Sequence, residues 1–315
     1  MPSQGSTTCD VVVVGGANYD YLIRGVELPA RGETLEGQSF DEAPGGKGAN
    51  QAVAVARLGG RVAFIGRIGQ DARGDQVLSR LQTEGVETAH LVRDSRASTG
   101  VALIFVNARG EKQIFAVPGA NRRLHIADVE RAAPLIRSAR VLLTQLEVPL
   151  DCTQCAVHLA RAAATKVILD PAPATALSTE LLSFVDIIRP NAAEATTLTD
   201  VRVSNRASAR EAARMLLRRG VHAAAVQAGD EGNLLVWAGG ERWLPKLPVP
   251  TVDATGAGDA FAAGLAVCLS DGLSLEQAGA FANAAAALAT TALGAQAALP
   301  RRDAVLALLR QFRQS

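Results

Sequence analysis

RVLLTQLEVPLDCTQCAVHLARAAATKVIL, residues 140–169, decides the architecture. Its ends, RVLLT (140–144) and KVIL (166–169), are short β-branched runs that are apolar almost throughout. Between them, 151–164 repeats its apolar residues at helical spacing. A strand apolar on both faces must be covered on both faces, and a helix joining two such strands brings the chain back so that they run parallel. The same unit recurs. Strand-like runs stand at 10–14 (DVVVV), 61–65 (RVAFI), 184–188 (FVDII) and 222–227 (HAAAVQ), with helical periodicity at 48–58, 72–84 and 207–219. The expected fold is α/β: a doubly wound, mainly parallel sheet with helices on both faces.

Two stretches interrupt this rhythm. Residues 21–43 and 98–117 hold no helical pattern and read as strands with turns. Within the second, VALIFVNARGEKQIFAV (101–117) is a hairpin with its turn at 107–110. The expectation is one catalytic domain over 1–315, with a small β-sheet lid formed by insertions at about 21–43 and 98–117.

Composition narrows the function. At 315 residues the chain can bury a large core, since chains of about 300 residues hide roughly 75% of their unfolded surface. A net charge of +1, no Lys/Arg-dense runs and only 4% aromatics argue against nucleic acid as a partner. MPSQGSTT (1–8) is polar and VVVV too short for a signal h-region, so no secretory leader is expected. The Ala-rich stretch 284–298, broken by Thr290, Thr291, Gly294 and Gln296, reads as a packed helix and not a membrane span. Four cysteines without a framework of paired spacings suit a reducing cytoplasm. Cys152 and Cys155 form a C-x-x-C with no second pair or nearby histidine, and read as helix packing.

The chemistry concentrates in TVDATGAGDAF (251–261). A strand-exit turn here opens a helix at about residue 257, and a helix start exposes unpaired N–H groups and the positive end of the dipole. Glycines at 256 and 258 let backbone approach an anion closely, which suits a phosphoryl group gaining charge. Asp259 in that first turn stands beside the same anion. The dipole is expected to lower its pKa, yet a modest base suffices when a hydroxyl loses its proton late in phosphoryl transfer.

DATGAGDAF resembles the C-terminal signature of the ribokinase family of carbohydrate kinases, usually D-T-x-G-A-G-D, and APGGKGANQAVAVARLG (43–59) resembles the N-terminal one. PARGET (29–34), STGVALIFVN (98–107), GAN (119–121), QLEVP (145–149), DPAP (170–173), RPNAAE (189–194) and GAQ (294–296) follow in family order over residues 10–300. The resemblance implies a homodimeric ATP-dependent kinase that phosphorylates D-ribose at O5, with Mg²⁺, activation by K⁺, and dimer contacts through the β lid. Alternatives are a same-fold kinase for 2-deoxyribose, a nucleoside or a ketohexose, and a non-catalytic sugar-binding regulator.

Residue by residue, the resemblance makes Asp259 the catalytic base and Gly256, Ala257 and Gly258 the anion-hole amides. Asn18 and Asp20 of GGANYDY (15–21) match a pair that binds sugar hydroxyls; in an extended chain they point to one side, about 6–7 Å apart, and Tyr19 and Tyr21 to the other. These tyrosines depart from the small or aliphatic residues expected beside the pair. Gly45, Gly46, Asn50 and Glu147 resemble further sugar contacts. Lys47 belongs to no P-loop, because G-x-x-x-x-G-K-[ST] is not matched; its expected part is to orient substrate or lid. G-x-G-x-x-G is also missing after VVVV, which disfavours hydride chemistry. Asn191 and Glu194 match an N-x-x-E motif associated with phosphate and Mg²⁺, the ion held through water, and at i, i+3 they share a helix face. For the nucleotide, Gln227, Gly229 and Gly232 of QAGDEG (227–232), with Gly258 and Asn283, are the expected contacts. Asp253, Thr255, Thr290 and Gly294 match the K⁺ site.

Overall fold

The computed structural model describes residues 9–109 and 112–313. Nine strands form one sheet: β1 (Val11–Val14), β4 (Val62–Gly69), β5 (Leu91–Asp94), β8 (Val141–Thr144), β9 (Lys166–Leu169), β10 (Ile187–Ile188), β11 (Ala223–Gln227), β12 (Gly232–Trp237) and β13 (Gly240–Pro245). Their order is β13-β12-β11-β10-β9-β8-β1-β4-β5. From β11 to β5 every pairing is parallel, and β12 and β13 add an antiparallel edge. This is the doubly wound α/β sheet expected, extended by an edge hairpin that no expected strand covers.

The helices are α1 (Lys47–Arg57), α2 (Ala72–Thr83), α3 (Ile126–Arg131), α4 (Ala133–Ser138), α5 (Leu150–Arg161), α6 (Thr179–Ser183), α7 (Ala192–Thr199), α8 (Arg206–Arg218), α9 (Ala257–Ser270), α10 (Leu275–Leu288) and α11 (Arg302–Arg313). They bury two cores, one on each sheet face. Alternation splits even the all-valine strand: Val11 and Val13 belong to the core that holds Phe261 and Leu265 of α9, whereas Val12 and Val14 belong to the core that holds Val157 of α5 and Leu216 of α8.

Two expectations are corrected. FVDII yields only a two-residue strand, because Ser178 caps α6 through its side chain and Phe184 closes that helix. The Ala-rich stretch is helical only to Leu288; its remainder is turns that carry Thr290 and Gly294. No described helix is long and apolar enough to cross a membrane.

A second sheet of four strands has the order β3-β2-β6-β7, with β2 (Asn18–Arg24), β3 (Ser39–Gly45), β6 (Gly100–Val106) and β7 (Lys112–Val117). It is the lid. β2 begins at Asn18 and β3 ends at Gly45, so the expected sugar pair lies on the lid itself. The 101–117 hairpin is present as β6 and β7; Gly110 of its expected turn lies outside the described residues.

Candidate active site

The body strands leave the sheet at their carboxyl ends toward one crevice, and there the site residues gather. Gly15 follows β1, Gln145 and Glu147 follow β8, Asp170 follows β9, Arg189 and Asn191 follow β10, and Gly229 follows β11. Successive strands run outward from β1 on one side and from β8 on the other, so the order reverses between them. Open α/β sheets bind ligands at such a switch point.

Asp259 is buried at the start of α9. One carboxylate oxygen accepts from Asn50 Nδ2 at 3.0 Å and the other from Gln51 Nε2 at 3.1 Å. Burial pushes its carboxyl above the ordinary aspartate range; Lys47 opposes that rise and Asp170 adds to it. The expected lowering by the helix dipole is therefore overturned. Desolvation dominates, and the result is a stronger proton acceptor.

Lys47 stands close to this centre. Its ammonium is 3.5 Å from Asp170 Oδ2 and 3.9 Å from Asp259 Oδ1, and its backbone N–H donates to Glu147 Oε2 at 2.8 Å. Burial works against the ammonium, but Asp170, Asp259, Glu147 and Glu194 outweigh it and hold Lys47 charged.

The glycine turn has a steric reason at each of two positions. Gly256 caps α9 with φ 84°, and a Cβ there would lie 2.7 Å from the Ala295 carbonyl oxygen. Gly258 leaves room for Arg189, whose guanidinium nitrogen a Cβ would meet at 2.5 Å. Arg189 is buried over the Phe261 ring with its Nε unpartnered among the described residues. It sets a fixed cation beside the turn. Of the expected anion-hole amides, that of Ala257 already donates to Ala254 O at 3.2 Å.

On the lid side, Asn18 Oδ1 accepts from Asn121 Nδ2 at 2.8 Å, which leaves its amide nitrogen as the donor for a ligand. Asp20 packs against Gly45, where a Cβ would fall 2.0 Å from its carboxylate, and its Oδ1 is buried without a partner among the described residues. Burial and the nearby Asp259 push the Asp20 carboxyl up to about 7. Glu147, raised mainly by burial, is also at about 7. Gly46 caps α1 next to the Ala17–Asn18 backbone. Tyr19 and Tyr21 turn to the opposite lid face, where they bond Gln76 and Arg73 of α2, so they do not line the sugar side.

Beyond Lys47 and Asp259 opens a cleft of about 440 Å³. Asn191, Gln227, Gly229, Gly232, Gly258, Asn283 and Thr290 all line it, as do Arg189 and Asn233. Asn283 bridges Asn233 to the Pro245 carbonyl. Asn191 and Glu194 form a reciprocal capping box on α7, each side chain accepting from the other's backbone N–H at 2.8 Å. Burial, then Asp170, raises the Glu194 carboxyl.

The four residues matched to the K⁺ site also converge. Asp253 accepts from Gly294 N at 3.1 Å and from the Thr255 N–H and hydroxyl, while Thr290 O receives the Val252 and Asp253 amides. Lys112 of β7 joins them. Its ammonium donates to Asp253 Oδ1 at 2.7 Å and to the Thr255 hydroxyl. Burial would raise the Asp253 carboxyl, but Lys112, Thr255 and Gly294 together drive it far below the ordinary range.

Asp170, Arg189, Gln51 and Lys112 are thus site residues to which no sequence motif assigns a role. Asp170 and Arg189 had a signal: each is a charged residue immediately after an apolar strand.

The pattern of the pfkB family carbohydrate kinases matches residues 9–302. The chain is 40% identical to the ribokinase of Haemophilus influenzae, over 95% of this chain and 98% of that protein. It is 35% identical to the deoxyribokinase of Salmonella typhi, over 80% of this chain and 83% of that one. The structure of Arabidopsis thaliana ribokinase complexed with ribose and ATP superposes with a TM-score of 0.87 at 32% identity, covering 96% of this chain and 99% of that one. The chain belongs to the pfkB family of carbohydrate kinases.

Proposed function

We propose that this chain transfers the terminal phosphoryl group of ATP to O5 of D-ribose. The observation that carries the reading is Asp259: a buried carboxylate with raised proton affinity, seated between the lid-side polar pair and a glycine turn that opens on the cleft. Ribose lies between the lid and Gly45, Gly46, Asn50 and Glu147, with Asn18 as donor and Asp20 as acceptor. O5 faces Asp259, which takes its proton as the bond to phosphorus forms. The terminal phosphate sits at the Gly256–Gly258 turn, where backbone N–H groups, Arg189 and Lys47 meet its charge. Adenosine extends along Gln227, Gly229, Gly232 and Asn283. Closure of the lid excludes water and limits ATP hydrolysis.

Mg²⁺ fits the residues present. Although Asp170 Oδ2 faces the Lys47 ammonium, its Oδ1 is buried without a partner among the described residues, and its charge adds to the burial-driven rise at Glu194. Among the described residues no three His, Cys, Asp or Glu could hold a metal by themselves. An ion here would be held through Glu194, waters and phosphate oxygens, with Asn191 fixing the Glu194 rotamer. When bound, it neutralises phosphate charge. K⁺ fits less well, because the Lys112 ammonium already occupies the Asp253 oxygen, and no step is assigned to that ion.

A nucleoside substrate would require an aromatic stacking partner, and Tyr19 and Tyr21 face away. A non-catalytic regulator has no need of the Asp259 turn. The lid also supports a homodimer: pairing places Leu103 and Phe115 side by side on the face opposite Asn18 and Asp20, and both are exposed. Free cysteines suit the cytoplasm. The test is phosphoryl transfer from ATP over pentoses, hexoses and nucleosides. Ribose should give the highest kcat/KM; a better value for 2-deoxyribose, a ketohexose or adenosine would refute the assignment.

A further inference from the structure

Lys112 opens β7, opposite Val106 of β6. Alternation along β7 and pairing across the sheet put it on the same lid face as Asn18 and Asp20. From there its side chain, 29% exposed, reaches the loop that leads into α9 and bonds Asp253, whose side chain is 8% exposed. The same ammonium bonds the Thr255 hydroxyl, one residue ahead of Gly256. Asp253 in turn holds the Thr255 and Gly294 amides. A single cation therefore ties the lid strand to the segment that sets the glycine turn. A free monovalent cation at Asp253 Oδ1 would sit within hydrogen-bonding distance of the oxygen that the ammonium uses, and the two positive charges would repel.

We propose that Lys112 is a positioning residue in which the lid supplies its own cation: its ammonium replaces a free monovalent ion at Asp253 and Thr255, so that lid closure and ordering of the Gly256–Gly258 turn are one event. The inference rests on the kinase reading for its catalytic consequence, but not for its binding consequence. Free K⁺ then has no vacant seat in the wild-type protein, and removing the ammonium creates one.

Lys112→Met keeps much of the stem and removes the charge. Three measurements on the full chain follow from it. In choline buffer of constant ionic strength, kcat of the variant should fall about tenfold or more and recover with saturation as K⁺ or NH₄⁺ is added, whereas the wild type should change by less than about twofold. Thallium(I), read by calorimetry, should bind the variant and not the wild type. Hydrogen exchange should speed up together in 112–117 and in 252–256. Saturable K⁺ activation of the wild type that Lys112→Met leaves unaltered would overturn the proposal. So would a variant that is inactive in every salt and binds no thallium, or one whose faster exchange is confined to the lid. Thallium binding and exchange need no sugar, so failure of the latch is separable from failure of the ribose reading.

Discussion

The Lys47 ammonium bridges Asp170 and Asp259, at 3.5 Å and 3.9 Å, and so links the proposed base to a second buried acid. Lys47 is the foremost influence opposing the burial that raises Asp259. Lys47→Met should therefore move the acid limb of the kcat–pH profile to higher pH and lower kcat at pH 7 by about tenfold or more. An unshifted limb would show that the ammonium does not act on the base.

Asp259→Asn preserves shape and hydrogen-bonding reach but cannot take a proton. It should lower kcat by at least ~10²-fold with little change in KM, as loss of an acid–base group does. Normal turnover would remove Asp259 from the chemistry.

Asp20 gives a signed pH prediction. Its folded pKa of about 7 lies above the unfolded value of roughly 3.9. The folded protein thus binds the proton more tightly, and this group's contribution to stability falls as pH rises from about 4 through about 7. Asp20→Asn should raise Tm at pH 8, flatten the Tm–pH curve, and raise KM for the sugar. Thermal melts across pH 5–8 test it; a lower Tm at pH 8 would contradict a destabilising buried charge.

Arg189 presents a planar guanidinium over Phe261 and against Gly258. Lys would keep the charge but lose the fork and the stacking. Arg189→Lys should reduce kcat/KM for ATP by about tenfold or more while KM for the sugar stays near wild type. Equal losses for both substrates would place Arg189 outside the phosphate contact.

Leu103→Glu with Phe115→Glu puts charge on the outer lid face. Sedimentation velocity should show dimer in the wild type and monomer in the double variant. A wild type that sediments as a monomer at tens of micromolar would end the dimer reading.

The body of the fold is legible in the sequence because parallel strands buried on both faces need runs that are apolar almost throughout, and β1, β8 and β9, though short, supply them. The edge hairpin β12–β13 is not, since it is half-polar and broken by glycine. The glycine turn and Asp259 are legible through local spacing. The direction of the Asp259 pKa is not, because it depends first on burial and then on Lys47 and Asp170 arriving from α1 and the end of β9. Lys112 meets Asp253 only through the lid's placement, and nothing local in GEKQIF announces it. The N-x-x-E pair gives up half its meaning: shared helix position is readable, but the reciprocal cap needs the backbone.

The inner pair of the lid sheet, β2 and β6, runs parallel, with Asn18 opposite Gly100 and Arg24 opposite Val106. Parallel neighbours cannot be joined by a tight turn, and the connection here passes through β3, α1, β4, α2 and β5. The cover over the sugar is therefore not a detachable module that could be grafted or deleted as one piece of chain. Excising 98–117 would strip β2 of a neighbour along its whole length and expose the backbone edge that carries Asn18 and Asp20.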